Sequence, residues 1–249
     1  MSDPIVDGGW IVSGTRLLIL SDIHGNWNAL RAVLQAEPDA TDILCLGDWV
    51  NYGPEPAACV RWGARHVRPG RALRGNHDIA AVTGALPRYS SAGRDELAET
   101  LRDTRRRLPP ADRAFLASLP ESVRLRTEAE VWWAGHALPS DPLEGYLRGD
   151  APEAAWQGEI RRAGNPDVLL VGHTHRPFLR RVGSTLVVNP GSVGRPKGGE
   201  PAGSYAIWRD GVFCLRNIPT VVPIMDGLES KAEHGLRCQH VSASLRSCD

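Results

Sequence analysis

Short apolar runs along this chain end in clusters of aspartate, histidine and asparagine. Four of the eight histidines fall in such clusters, and a fifth follows another apolar run. The clusters are Asp22-Ile23-His24-Gly25-Asn26, Gly47-Asp48, Gly75-Asn76-His77-Asp78, His136 and Gly172-His173-Thr174-His175. When apolar runs form the strands of a parallel sheet, residues at their carboxyl ends meet at one edge, where such sheets bind ligands. We therefore expect these clusters to converge on one site.

The first part of the chain repeats one local pattern. Apolar runs at residues 16–21, 43–46 and 71–74 each lead into a Gly- or Asp-containing turn. Residues 27–35 then show helical spacing of apolar positions, a second helix is predicted after Pro54, and a short one after Asp78. Three strand-loop-helix units predict a mostly parallel sheet with helices on its faces.

The later part of the chain changes character. Residues 91–120 form a polar, Arg-rich helical stretch that is broken at Pro109-Pro110 and resumes over 111–119, which predicts a helical insertion beside the site. Strands are predicted at 123–125, 131–134 and 168–171, with a helix at 152–163. Short strands at 178–182, 185–188, 204–208 and 212–215, with a hairpin at Asp210-Gly211, predict a second and more antiparallel sheet.

These elements predict an α/β fold of four layers, in which two sheets are flanked by helices. We assign residues 1–219 to one domain, with the helical insertion at about 91–120, and residues 220–249 to a C-terminal extension of unknown role. The extension lacks apolar periodicity and is rich in glycine, serine and mixed charge.

Composition limits the classes of partner. The 29 basic and 29 acidic side chains balance, which disfavours nucleic acid and anionic membranes as general partners. Five cysteines without a CxxC pair favour a reducing compartment. Residues 1–14 lack the apolar core of a secretory signal, and no run is long enough to cross a bilayer, so we expect a cytoplasmic protein. The sequence carries no signal for oligomeric state.

The residue types in the clusters point to a pair of divalent metal ions. Imidazole, carboxylate and amide groups without thiolate suit manganese first, with iron, zinc, nickel or cobalt as alternatives. Two-metal hydrolytic sites hold their ions ~3.5–4 Å apart, and one oxygen ligand must touch both. Aspartate is the natural bridging group.

The motifs DIHGN, GDxxxxGP, GNHD, GH and GHTH, in this order, resemble the calcineurin-like metallophosphoesterase superfamily. The resemblance spans Leu17 to about Leu215. The stretches NPGSVGRPK at 189–197 and GDWVNYGPEP at 47–56 are most similar to its small bacterial and archaeal phosphodiesterase branch. The resemblance implies a four-layer αββα sandwich of two mixed sheets flanked by helices.

The resemblance also implies a role for each cluster residue. One metal ion is expected on Asp22, His24 and His175, the other on Asn76, His136 and His173, with Asp48 bridging both. A hydroxide shared by the ions is the implied nucleophile, so no covalent enzyme intermediate is needed. His77 is the implied general acid or transition-state stabiliser, and Asp78 is expected to orient its ring.

Several residues have a structural interpretation beside the functional one. A single histidine after a buried strand is ordinarily a core group, and only the whole set favours metal binding. Asp78 is equally explained as a helix cap. Asn26 is a turn residue or a partner of a ligand residue. Arg105, Arg106 and Arg107 are a solvated helix face or, less simply, a guide for an anionic substrate.

The substrate class follows from one departure from the family pattern. Phosphoprotein phosphatases and dinucleoside tetraphosphatases carry an Asp-Arg pair where this chain has Asn51-Tyr52-Gly53. Fewer fixed cations favour a small, singly charged phosphodiester over a monoester, unless Arg195 or Arg176 reaches the site. The alternatives are a phosphomonoesterase or phosphoprotein phosphatase on the same metals, and a non-catalytic metal-binding scaffold, which the presence of His77 disfavours.

Overall fold

The structure is a computed structural model that describes residues 6–88, 93–197, 202–219 and 241–242. The described helices are α1 (Trp27–Ala36), α2 (Pro56–His66), α3 (Asn76–Thr83), α4 (Arg94–Arg107), α5 (Pro110–Ser118) and α6 (Glu153–Arg162). The described strands are β1 (Val6–Trp10), β2 (Arg16–Leu20), β3 (Asp42–Cys45), β4 (Ser122–Arg126), β5 (Val131–Gly135), β6 (Val168–Leu170), β7 (Phe178–Val182), β8 (Thr185–Asn189), β9 (Ala202–Arg209), β10 (Val212–Pro219) and β11 (Val241–Ser242).

The strands form two mixed sheets. One has the order β1-β4-β5-β6-β8-β7, with parallel pairing from β5 through β6 to β8. The other has the order β11-β10-β9-β2-β3, in which only β2 and β3 are parallel. Both sheets therefore place the ends of neighbouring parallel strands at one edge, as the positions of the clusters require.

Alternating side chains of the strands bury both faces of each sheet. Leu17 and Ile19 of β2 face an apolar core between the sheets, where they join Trp132 and Leu170. Leu18 and Leu20, on the opposite face of β2, pack against helices α1 to α5. Trp156 of α6 packs with residues on the outer face of the other sheet. The predicted four-layer sandwich is confirmed.

The assignment of strands to sheets differs from the sequence prediction. The hairpin of β9 and β10 was expected in the sheet formed by the later strands, which contains β5, β6 and β8. It belongs instead to the five-stranded sheet formed by the early strands, because β9 pairs with β2. The reason is the segment after β8. Val193 donates its backbone N–H to Ser21 O at 3.0 Å, and Gly194 donates to Asp22 O at 3.0 Å. These bonds lead the chain back to the five-stranded sheet with β2. That sheet is consequently more antiparallel than expected.

Two further element predictions were wrong. Residues 71–74 do not form a strand but make one parallel bridge, between Cys45 and Ala72. The chain then turns away, because Arg74 donates its N–H to Pro120 O at 3.0 Å. Helix α3 begins at Asn76, before Asp78 rather than after it. The edge strand β1, which lacks alternation in the sequence, was not predicted.

The proposed extension 220–249 lies outside the described residues apart from β11, which pairs with β10. The domain boundary at 219 stays a prediction. Among the described helices, none combines the length and the apolar character that crossing a bilayer requires.

Candidate metal centre

Two groups of metal-donor side chains meet where β2, β3, β5 and β6 end. The first group is Asp22, His24, Asp48 and His175, and the second is Asp48, His136 and His173. Within each group, one donor atom per residue lies within 4.8 Å of every other. Asp48 belongs to both groups. Six of the seven predicted ligands are thus brought together around one shared carboxylate.

The seventh predicted ligand, Asn76, faces the same place. It is the first residue of α3, only 5% exposed, and it lines the pocket above the two groups together with His173 and His175. Its Oδ1 atom has no hydrogen-bond partner among the described residues. An amide oxygen is a suitable ligand for a divalent ion in this setting.

Strained backbone turns aim the ligands inward. Left-handed φ angles occur at Asp22 (54°), His24 (50°), Asp48 (56°), His173 (62°) and His175 (59°). Such conformations cost about 1–3 kcal/mol each and cluster at functional sites. Gly47 has a φ of 104°, and a Cβ there would lie 2.5 Å from Gly75 N. The turn before Asp48 therefore requires glycine.

Backbone carbonyls set the tautomers of three histidines. His24 Nδ1 lies 3.0 Å from Val50 O, His136 Nδ1 lies 3.1 Å from Leu46 O, and His175 Nδ1 contacts Arg195 O. Because a carbonyl only accepts, each Nδ1 carries a hydrogen and donates it, which leaves the Nε2 lone pair facing the centre. The Nε2 atoms of His24 and His175 are 3.1 Å apart. Two lone pairs that face each other at this distance fit a shared cation.

Other donor atoms also lack partners. Among the described residues, Asp22 Oδ1, Asp48 Oδ2 and His136 Nε2 are buried without a hydrogen bond. Leaving such an atom unsatisfied costs about 1–3 kcal/mol, and more for a charged group. His136 Nε2 lies 3.4 Å from Asp48 Oδ2, and His175 Nε2 lies 3.2 Å from Asp22 Oδ1. The donor set therefore fits a pair of divalent ions with nitrogen and oxygen ligands.

Electrostatics set the protonation states of the donors, and every donor except His136 is held in its metal-binding form or left free to adopt it. Burial alone would raise the pKa of both aspartates, but His175 holds the pKa of Asp22, and His136 that of Asp48, below the usual range. Burial lowers the pKa of His173 to about 4, so its ring is neutral. Burial also lowers the pKa of His136, but the Asp48 carboxylate overrides it and raises the value to about 9. A metal ion bound at His136 Nε2 would take the place of that proton.

His77 lies beside the donor groups and is held by Asn51. Its Nδ1 atom is 2.8 Å from Asn51 Nδ2, and Thr104 Oγ1 donates to Asn51 Oδ1 at 3.1 Å. His77 N donates to Asp48 Oδ1 at 2.9 Å. Burial lowers the pKa of His77 to about 4. With the amide donating to Nδ1, the ring is neutral and carries its hydrogen on Nε2.

Asp78 does not orient the His77 ring as expected. Its carboxylate accepts backbone N–H groups of Asp48 at 2.9 Å, Trp49 at 2.9 Å and Gly75 at 2.8 Å. Asp78 is the third residue of α3, so its side chain points back over the helix N-terminus. The helix-cap interpretation is confirmed, and the carboxylate additionally holds the turn that carries Asp48. The ring partner is Asn51, which the sequence prediction missed.

The segment 189–197 braces the ligand turns. Asn189 Nδ2 donates to Gly172 O at 2.9 Å, and Ser192 Oγ donates to Asp22 O at 2.8 Å. Asn26 caps α1 by accepting from Ala29 N at 3.0 Å, and its Nδ2 donates to Gly194 O at 3.2 Å. Asn26 is thus a turn residue that also ties this segment to the first ligand cluster. The NPGSVG motif was the sequence signal for this brace.

A pocket of about 180 Å³ opens over the donor groups. Besides the ligands, its walls include Tyr52, His77, Arg88, Tyr146, Arg195 and Lys197. Arg176 is absent from this lining. Arg88, Tyr146 and Lys197 were not predicted, whereas Arg195 was named as a residue that would bring charge to the site.

The Arg-rich stretch of α4 has a structural role. Arg105 Nη1 donates to Ala81 O at 2.7 Å and to Val82 O at 3.0 Å, near the end of α3. Arg106 and Arg107 form ion pairs with Asp103 of the same helix. These contacts support the interpretation as a solvated helix face and do not direct the arginines to the pocket.

Comparisons with known proteins agree with this architecture. The model of the calcineurin-like phosphoesterase superfamily domain matches residues 16–209. The protein MJ0912 of Methanocaldococcus jannaschii is 29% identical over 241 residues, covering 88% of this chain and 93% of that protein. Phosphodiesterase YfcE of Escherichia coli is 30% identical over 205 residues, covering 80% and 90%. A crystal structure of a metallophosphoesterase from Sphaerobacter thermophilus superposes with a TM-score of 0.69 at 28% identity, covering 82% of this chain and 88% of that one.

Proposed function

The chain belongs to the calcineurin-like phosphoesterase superfamily, and from this premise we propose that it is a phosphodiesterase that uses two divalent metal ions. As a family member with a phosphodiesterase relative, it is a hydrolase of phosphoric esters. The observation that carries the two-metal proposal is the sharing of Asp48 by both donor groups.

Each ion has a set of ligands in the proposal. Asp22, His24 and His175 would hold one ion, and Asn76, His136 and His173 would hold the other, with Asp48 shared by both sets. The unpaired Oδ1 atom of Asn76 and the inward Nε2 atoms support this division. Manganese is proposed first because the set is rich in oxygen and nitrogen donors and lacks thiolate, with iron, zinc, nickel or cobalt as alternatives.

The protein contributes the position of the reacting groups and a hydrogen-bond donor for the leaving oxygen. Bound divalent ions supply Lewis-acid activation of water and of the phosphoryl oxygens at neutral pH. His77 holds a hydrogen on Nε2, since Asn51 occupies its Nδ1, and the neutral ring would donate a hydrogen bond from Nε2 to the departing ester oxygen and stabilise its developing negative charge. The buried carboxylate of Asp78 keeps the turn with Asp48 and the start of α3 in register. The proposed reaction needs no covalent enzyme intermediate.

The preference for a diester rests on YfcE, a relative named as a phosphodiesterase. Charge balance favours a diester less than the sequence indicated, because the Arg195 guanidinium lines the pocket. A phosphomonoesterase on the same metals is the second candidate, and Arg195 is the observation that favours it.

A paired assay tests the proposal. We expect the manganese-loaded protein to hydrolyse bis(4-nitrophenyl) phosphate with a higher kcat/KM than 4-nitrophenyl phosphate. We expect Asp48→Asn to lose bound metal, measured by elemental analysis, together with turnover, because the shared carboxylate becomes a neutral amide. The matched control Asp150→Asn, at a side chain 71% exposed, keeps both.

Three outcomes contradict parts of the proposal. A higher kcat/KM for the monoester would identify the protein as a phosphomonoesterase, the second candidate function. Two bound metal ions without turnover of either ester would identify the protein as a non-catalytic metal-binding scaffold. Unchanged metal content in Asp48→Asn refutes the bridging role.

A further inference from the structure

Arg195 is held rigidly beside the metal centre. Its guanidinium carbon lies 3.5 Å from the centre of the Tyr52 ring, in a cation–π stack. Its backbone N–H donates to Ser192 Oγ at 2.8 Å, and its carbonyl accepts from His175 Nδ1. The side chain and the backbone are therefore both fixed by residues of the site. A guanidinium pre-positioned in this way loses little entropy when it binds an anion.

The charge of Arg195 is poorly compensated. Among the described residues its one ion pair is with Glu96, whose Oε1 lies 3.6 Å from Nη2, beyond hydrogen-bond distance. The Glu96 side chain is 65% exposed, so water screens this pair. In the part of the chain that the structure describes, Lys197 has no carboxylate within ion-pair distance. By contrast, Arg88 on the same pocket wall is paired with Asp141 and Glu144.

Among the described residues, the two pocket-wall cations Arg195 and Lys197 therefore have only the water-screened Glu96 carboxylate as a counter-charge. A phosphodiester carries one negative charge at the scissile phosphate, and the proposed metal ions already meet that charge. Cations brought close to a positively charged metal pair repel it unless another anion lies between them. A substrate that binds here with good charge balance therefore carries a second anionic group.

We propose that Arg195 and Lys197 form an anion subsite that binds a second phosphate of the substrate, next to the scissile phosphodiester. This inference rests on the proposed function. It narrows the substrate class to phosphodiesters that bear another phosphate within one sugar unit or one anhydride link. The planar guanidinium binds two phosphate oxygens side by side, and the ammonium supplies a point charge.

The test uses two diesters that differ by one phosphate. Thymidine 5′-(4-nitrophenyl phosphate) and its 3′-phosphorylated form release the same leaving group. We expect the manganese-loaded protein to prefer the 3′-phosphorylated diester in kcat/KM by about tenfold or more, the factor that one charge-assisted hydrogen bond produces. Lys197→Met and Arg195→Met each lower this ratio toward one. Arg65→Met, which removes an exposed cation from the last turn of α2, keeps the ratio.

A binding measurement separates the subsite from catalysis. By isothermal titration calorimetry, thymidine 3′,5′-bisphosphate is expected to bind more tightly than thymidine 5′-monophosphate, and Lys197→Met removes most of the difference.

If plain diesters are hydrolysed but the extra phosphate brings no gain in kcat/KM, the subsite is wrong while the phosphodiesterase proposal stands. If the two variants slow both diesters equally, the cations contact the scissile phosphate, and the subsite is overturned. If only monoesters are hydrolysed, the proposed function fails and the calorimetric difference alone decides on the subsite.

Discussion

Replacing Thr104 with valine isolates the contact that orients His77. Thr104 and Asn51 are 2% and 0% exposed, and the Thr104 hydroxyl donates to Asn51 Oδ1 at 3.1 Å. Valine has almost the same shape but no hydroxyl. The change therefore removes one hydrogen bond without opening a cavity. The Asn51 amide then loses the contact that keeps its Nδ2 atom toward His77 Nδ1.

The size of the effect follows from the burial of the pair. A neutral hydrogen bond contributes about 0.5–1.5 kcal/mol net, so the preferred amide orientation becomes roughly 2- to 13-fold less favoured. We expect kcat to fall by a factor in this range. The unsatisfied Oδ1 atom costs about 1–3 kcal/mol of folding stability. For a domain of this size, each kcal/mol lowers Tm by about 2–4 °C.

The assay compares two leaving groups. A phenolate leaving group carries more negative charge on its oxygen than 4-nitrophenolate does and needs the hydrogen bond from His77 more, so Thr104→Val slows the phenyl diester more. Thr104→Ser keeps the hydroxyl and is expected to keep the activity. In a His77→Ala background, Thr104→Val has no further effect on kcat, because the two act as a unit. Wild-type kcat in Thr104→Val on both esters, or an equal loss in the His77→Ala background, refutes the role of Thr104.

Three other outcomes are expected. His77→Ala lowers kcat by ~10²–10³-fold, as the loss of one hydrogen-bond donor to a developing oxyanion does, while elemental analysis still finds the wild-type metal content. A loss of metal would show that His77 is a ligand. Gly75→Ala abolishes turnover, because a Cβ there would lie 2.1 Å from Asp48 Oδ1. The control Gly158→Ala in α6 keeps turnover, because the nearest atom to the new Cβ is 3.4 Å away on a flexible arginine side chain. Chelation lowers Tm and added manganese restores it, by about 2.7 kcal/mol of stability at 100 times the dissociation constant; a Tm insensitive to both would contradict metal binding by the folded state.

Much of the candidate site is encoded locally. Asp22, His24, His173 and His175 stand within a few residues of apolar runs, so their placement at strand ends follows once those runs are strands. The carboxyl ends of neighbouring parallel strands share one edge, which brings distant clusters together without knowledge of the full fold. The succession of strand-loop-helix units predicted helices on the faces of the first of these sheets, and the continuous burial of Leu17 to Leu20 in β2 agrees with cover on both faces.

Contacts between side chains far apart in sequence were not predictable in this way. Asn51 contacts His77 across 26 positions, and Thr104 reaches Asn51 across 53. Nothing in the periodicity of either segment indicates such a bond. Asn51, and not Asp78, bonds the His77 ring, because Asp78 caps the start of α3. The exact start of this helix depends on the cap rather than on hydrophobic spacing.

The sequence by itself indicated the candidate donor residues, most of the strands that precede them and the four-layer architecture, because these depend on residue type and on periodicity along the chain. Only the tertiary structure decided that β9 and β10 join the first sheet, that Asn51 holds His77, and that Arg195 and Lys197 stand on the pocket wall. These outcomes depend on packing between segments that are remote along the chain. The free energy of such packing is a property of the whole assembled core, so no single stretch of residues determines it.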